Sequence, residues 1–157
     1  MIGDNPPKVF PRGMLIMGAS RTGIATQETA MSEAKPFTRI VTDDGGGSAF
    51  EEGQIPLQTQ RVAENFPPVL VGTVPAISAA VYVTGGVYSS DPHPVPHRAP
   101  RKQWVVIIRG FLEVEVTDGS RRTFGPGDLV RAEDTDGAGH ITRRAGDEPV
   151  EALFLPC

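Results

Sequence analysis

The stretch 91–103, DPHPVPHRAPRKQ, gathers His93, His97, Arg98, Arg101, Lys102 and Gln103 within thirteen residues. The third histidine of the chain, His140, closes a GAGH run just after the acidic segment EDTD at 133–136. A neutral imidazole titrates near neutral pH, so it can take up and return a proton or ligate a metal ion. Arg101 offers a guanidinium fork for a carboxylate or a developing oxyanion. The Gln103 amide can orient a carbonyl or hydroxyl. Each group also has a plainer role open to it. His97 reads equally as a satisfied rim histidine, and His140 as a cap for backbone groups beside a glycine turn. His93 reads as a solvent-exposed side chain and EDTD as an exposed acidic loop, while Arg121, Arg122, Arg143 and Arg144 read as solvated charges.

Other chemistries are poorly served. The single cysteine, Cys157, is the last residue; it cannot form an intrachain disulfide or join a cysteine cluster, which makes a reducing cytoplasm the expected compartment. No serine has a nucleophile-elbow context, and GGG at 45–47 lacks the length and the lysine of a phosphate-binding loop. A net charge of −4 and a pI near 5.3 argue against a nucleic-acid partner. No apolar run has the length of a membrane span, and the apolar patch at 14–17 is too short for the core of a signal peptide.

The elements that must position these groups read as β-strands. From Phe37 onward, short apolar or alternating runs (FTRIVT, VLVGTV, ISAAVYVT, QWVVIIRG, FLEVEVT, DLVRAE, HITRRA, VEALFL) are separated by turn signals such as DDGGGS, TDGS and FGPGD. Leu112, Val114 and Val116 alternate with Glu113, Glu115 and Thr117, so one face is apolar and the other polar. Asp118-Gly119 is the pair expected where a tight hairpin turn needs positive φ. QWVVIIRG is apolar on both parities, as for a strand covered on both faces. Helical signal is confined to 26–35 and QTQRVAENF. Residues 1–36 carry no sustained period and read as an N-terminal extension or arm, leaving 37–157 as one all-β domain of sandwich or jelly-roll type.

From Phe37 to the end the chain resembles the cupin superfamily of small jelly-roll β-barrels, most clearly between His97 and His140. One half of the cupin signature reads His-x-His, three or four residues, Glu, six residues, Gly. HRAPRKQWVVIIRG supplies His97, Ala99 in place of the second His, Gln103 in place of Glu, and Gly110 at the six-residue spacing. The other half runs from a Gly before a short strand to a His, and PGDLVRAEDTDGAGH supplies Gly127 and His140 across a longer connection. HRAPRKQ, DGSRRTFGPGD and AEDTDGAGH look like a group of small bacterial cupins. The resemblance implies a single cupin jelly-roll β-barrel with an irregular N-terminal extension.

It also implies that the signature positions face the barrel interior. If 97–109 runs as one strand, His97, Ala99, Arg101, Gln103, Val105 and Ile107 line that cavity. Trp104, Val106 and Ile108 then face a second sheet or a partner subunit, and a homodimer is expected there. Pro94, Pro96 and Pro100 cannot donate ladder hydrogen bonds, which places the approach to this strand on an edge or rim. Typical cupins hold a divalent ion on three His and a Glu. The matching positions here are His97, Gln103 and His140, with one ligand lost to Ala99; iron, manganese, zinc or nickel would be the ion. His93, Glu133 or Asp134 are the residues that could bend in to complete such a set. The metal-free reading uses His97, His140 and Arg101 as catalytic groups, with Gln103, Tyr82 and Trp104 contacting a small-molecule substrate. It describes an isomerase, cyclase or lyase that needs no cofactor. A metal-dependent oxygenase and a non-catalytic ligand-binding cupin are the alternatives.

Overall fold

The computed structural model describes residues 33–74, 77–84 and 94–157, all within the unit Met31–Cys157. Their regular structure is entirely β. In chain order the strands are β1 (Ala34–Thr42), β2 (Ser48–Pro56), β3 (Gln58–Gln60), β4 (Val69–Val71), β5 (Val81–Thr84) and β6 (Gln103–Arg109). They continue as β7 (Phe111–Glu115), β8 (Arg121–Phe124), β9 (Leu129–Ala132), β10 (Ile141–Ala145) and β11 (Glu151–Pro156). Among the described residues no helix is long and apolar enough to cross a membrane.

The strands form a six-stranded sheet in the order β2-β1-β9-β6-β11-β5, a three-stranded sheet β10-β7-β8 and a two-stranded ribbon β3-β4; the sheets are not closed into a barrel. β6 is interior to the large sheet, between β9 and β11; Trp104 is buried on one of its faces and Val105 and Ile107 on the other, which is why its run is apolar on both parities. β-branched side chains suit such a pleated, covered surface. Ile40, Val105, Ile107, Val130 and Ala152 of the large sheet and Leu112, Val114, Val116 and Phe124 around the small one form one buried cluster. A further tie runs between the sheets at Ser48, whose N–H donates to Thr117 Oγ1 at 2.7 Å while its hydroxyl donates to the Gly139 carbonyl at 2.7 Å.

The turns follow their local chemistry. β7 and β8 are joined through 117–119, where Val116 N–H donates to the Ser120 carbonyl and Gly119 takes φ of 84°. The Asp118 carboxylate accepts from Ser120 N–H at 2.7 Å, and that bond holds its pKa below the ordinary carboxylate range. In DDGGG the Asp43 carboxylate accepts from the Gly45 and Gly47 N–H groups.

Four expectations change. Residues 97–109 are not one strand: β6 starts at Gln103, and 98–102 is irregular, because Pro100 interrupts any ladder just before it. QTQRVAENF is not helical; Gln58–Gln60 is strand β3, paired with β4, and a turn closed by Phe66 N–H to the Ala63 carbonyl follows. β2, SAFEEGQIP, has no clean alternation, yet it pairs with β1 from Thr42↔Ser48 to Ala34↔Pro56. That register also carries β1 back to Ala34, three residues before Phe37, so 34–36 belong to the sheet. The remainder of the expected extension, 1–32, lies outside the described residues, as does His93.

Candidate functional site

A cavity of about 530 Å³ lies between the six-stranded and three-stranded sheets. Strand parity builds it. Val105, Val130 and Phe154 face it from the large sheet, and Leu112, Val114 and Thr142 from the small one. The wall is therefore mostly apolar, in the size range of ordinary small-molecule sites. The polar groups among its lining are His97, Arg101, Gln103, His140 and Thr142.

His97 and His140 meet through both backbone and ring. They form an isolated antiparallel bridge, with His97 N–H donating to the His140 carbonyl at 2.8 Å and the return bond at 2.9 Å. Gly139 permits this approach. Its φ is +74°, and a Cβ there would lie 2.3 Å from the His97 carbonyl oxygen. The two rings stand 4.7 Å apart between centroids, tilted by 54°.

Behind His140 lies Asp134, which is 0% exposed. His140 Nδ1 donates to Asp134 Oδ2 at 2.6 Å, a short charge-assisted bond. It sets the tautomer: with the proton on Nδ1, Nε2 keeps its lone pair on the opposite edge of the ring. Asp134 Oδ1 has no hydrogen-bond partner among the described residues, so the carboxylate's hydrogen bonding there is to this imidazole. The expected exposed acidic loop is thus corrected at its first two residues. Asp134 turns inward, while its neighbour Glu133 turns the other way to Arg39 Nε at 2.6 Å, Arg131 at 3.4 Å and Lys102 at 3.9 Å. Thr135 and Asp136 are exposed.

His97 sits at the rim and remains solvent-exposed. Desolvation against the cavity wall, followed by the proximity of His140, moves its pKa below the ordinary histidine value; the Val95 carbonyl and Asp134 oppose the shift. Arg101 also lines the cavity at its exposed side and makes no ion pair among the described residues. Gln103, the first residue of β6, is buried with its side chain on the cavity. The irregular approach 97–102 therefore reaches the cavity without strand parity.

Two expected substrate contacts are placed elsewhere. Trp104 follows Gln103 in a strand and so points to the opposite face. It is 2% exposed there, edge-on to Phe37 at 4.6 Å and under the Arg131 guanidinium at 5.4 Å. Tyr82 likewise alternates with the cavity-lining Val81 and Val83. It is 54% exposed and donates its hydroxyl to Glu151 Oε2 at 2.7 Å, a bond that raises its pKa.

The donor set fits a divalent metal ion poorly. Among the described residues two imidazoles and a neutral amide oxygen share the cavity, and the carboxylate nearby, Asp134, is hydrogen-bonded to His140 Nδ1 and is not part of the lining. Among the described residues no group of three His, Cys, Asp or Glu converges. Iron, manganese, zinc and nickel sites in proteins favour imidazole together with anionic ligands.

Sequence reasoning missed Asp134 as the partner of His140, and Thr142 on the cavity wall. The signal available was an acid six residues before a histidine across an Asp-Gly-Ala-Gly turn, a spacing that brings the two side chains back together. No family model matches the chain, and no curated protein matches it. What fold and site define is an all-β chain of packed sheets around an apolar cavity that holds a carboxylate–imidazole pair.

Proposed function

We propose that the chain is an enzyme of cupin jelly-roll type that acts on a small organic molecule in this cavity by acid–base chemistry, as an isomerase, cyclase or lyase. The observation that carries the reading is the buried Asp134–His140 bond, which leaves Nε2 as the basic nitrogen of a histidine on the cavity wall. Nε2 takes a proton from a carbon next to a carbonyl, and the electron pair moves onto the carbonyl oxygen as an enolate. The Gln103 amide N–H donates to that oxygen. The same proton then returns from His140, or through His97, to a different atom, so an isomerisation balances with no oxidant or reductant. Asp134 is a positioning residue: it fixes the tautomer and stabilises the imidazolium that forms between the two transfers.

The test is hydrogen exchange in deuterated buffer, followed by NMR, on two enolisable probes: 3-phenyl-2-oxopropanoate and the neutral ketone 4-phenyl-2-butanone. The protein is expected to accelerate exchange of at least one. His140→Ala should lower that rate by about 10²–10⁴-fold, and Asp134→Asn should lower it while shifting the pH profile. No acceleration of either probe, or an unchanged rate in His140→Ala, overturns the proposal. The same reading carries a homodimer through the outer face of β6, where Ile108 stays exposed; a monomer by light scattering overturns that part.

A further inference from the structure

We infer that the ligand of this cavity is a monocarboxylate with an apolar body, held by Arg101 at the rim. The inference rests on the reading of the cavity as a substrate site and names the substrate class. Its first support is the distribution of charge. Among the described residues the cavity lining contains no acidic side chain; those that carry or can gain charge there are Arg101, His97 and His140. In a chain of net charge −4, a cation facing an acid-free, mostly apolar wall favours an anion over a neutral or cationic ligand.

The second support is the count of anion-binding groups. Among the described residues Arg101 is the single permanent cation of the lining, and no lysine joins it. Lys102, the next residue, lies 3.9 Å from Glu133 on the other side of the chain. One guanidinium presents two parallel N–H donors that match one carboxylate. A phosphate group brings more charge than this lining balances.

The third support is polarity along the cavity. Arg101, His97 and Pro100 belong to the rim segment, whereas Val105, Leu112, Val114, Val130 and Phe154 belong to the sheets behind it. A ligand oriented by Arg101 therefore places its carboxylate outward and its hydrocarbon among these side chains. Its middle then passes His140. Burial of that hydrocarbon supplies affinity, and the guanidinium supplies orientation.

The experiment measures binding of 3-phenylpropanoate, its neutral amide 3-phenylpropanamide and the cation 3-phenylpropylamine to the full chain by calorimetry. The acid is expected to bind about tenfold or more tightly than the amide, the difference made by one charged hydrogen-bonded pair, with the amine weakest. Arg101→Gln should bring acid and amide to equal affinity, and Arg101→Lys should keep part of the preference. Because Arg101 is exposed, these variants are expected to fold, which circular dichroism checks. Equal binding of acid and amide by the unmodified protein, retention of the preference in Arg101→Gln, or binding of neither compound overturns the inference. His140→Ala separates the two claims. It should lower proton exchange by about 10²–10⁴-fold while leaving the acid's affinity within about threefold, so exchange can fail with the carboxylate preference intact, and the reverse.

Discussion

The two faces of the three-stranded sheet handle charge in opposite ways. On its outer face, Glu113 and Glu115 of β7 each meet Arg121 of β8 and Arg143 of β10, at 2.6 to 3.7 Å. Every one of these charges has a neighbour of opposite sign across the register Glu115↔Arg121 and Arg143↔Glu113. The inner face bounds the cavity, where the nearby acid is wholly buried on one imidazole and, among the described residues, the cation has no acid beside it. Paired charges at a surface are screened and contribute little. A carboxylate held dry with a single partner costs stability, and that cost is characteristic of groups kept for chemistry. Number and type of charged residues do not separate the two faces. Their partners do.

Substitutions on alternate residues of β7 test that contrast most directly. Leu112→Ala on the inner face, where Leu112 is buried in the core cluster, should cost about 2–5 kcal/mol. Urea unfolding measures it, and a loss no larger than that of an outer-face substitution breaks the comparison. Glu115→Gln on the outer face should lower the midpoint far less. The hydrogen bond from Arg143, helped by the charges of Arg121 and Arg143, holds the Glu115 pKa below its ordinary 4.5. Its contribution is therefore present above that value and lost as pH falls through the depressed one. The wild-type advantage should be measurable near about pH 7 and shrink as the solution is acidified through the depressed value; an advantage that does not shrink in acid would assign it to packing.

The smallest effect expected belongs to His97. Its folded pKa lies below the ordinary 6.5, so the unfolded chain binds that proton first. Stability is then level above 6.5, declines as pH drops from there towards the folded value, and flattens below it. Thermal midpoints between about pH 8 and about pH 5 should show this shallow decline in the wild type and lose it in His97→Asn. A slope that survives the substitution comes from another group.

Much of the sheet architecture was legible because its signals are local. Leu112, Val114 and Val116 declare an inner face by alternation, and the outer ladder of Glu113 and Glu115 follows from the same period. DDGGG, TDGS and GPGD mark turns because glycine and aspartate act within a few residues of themselves. Less legible were β2 and β3, whose pairing with β1 and β4 overrides weak patterns of their own. Parity alone carries the β6 pattern back to His97, but Pro100 cannot donate a ladder hydrogen bond, and 98–102 is irregular. His97, Arg101, Gln103 and His140 were all named from sequence, and all line the cavity. Trp104 and Tyr82 were chosen for their type, but parity turns both away from it.

Residue types and short-range periods in this chain were enough to write down an all-β fold, its main turns and four polar groups of the cavity. They act between neighbours, so a single chain displays them. The link between His140 and Asp134, the opposite turns of Glu133 and Asp134, and the gathering of Val105 and Leu112 into one buried cluster depend on how strands register. Glu133 reaches Arg39 across 94 residues, and no local preference encodes a contact of that range. Packing two sheets around one core chose those partners, because only one register buries the apolar face of every strand at once.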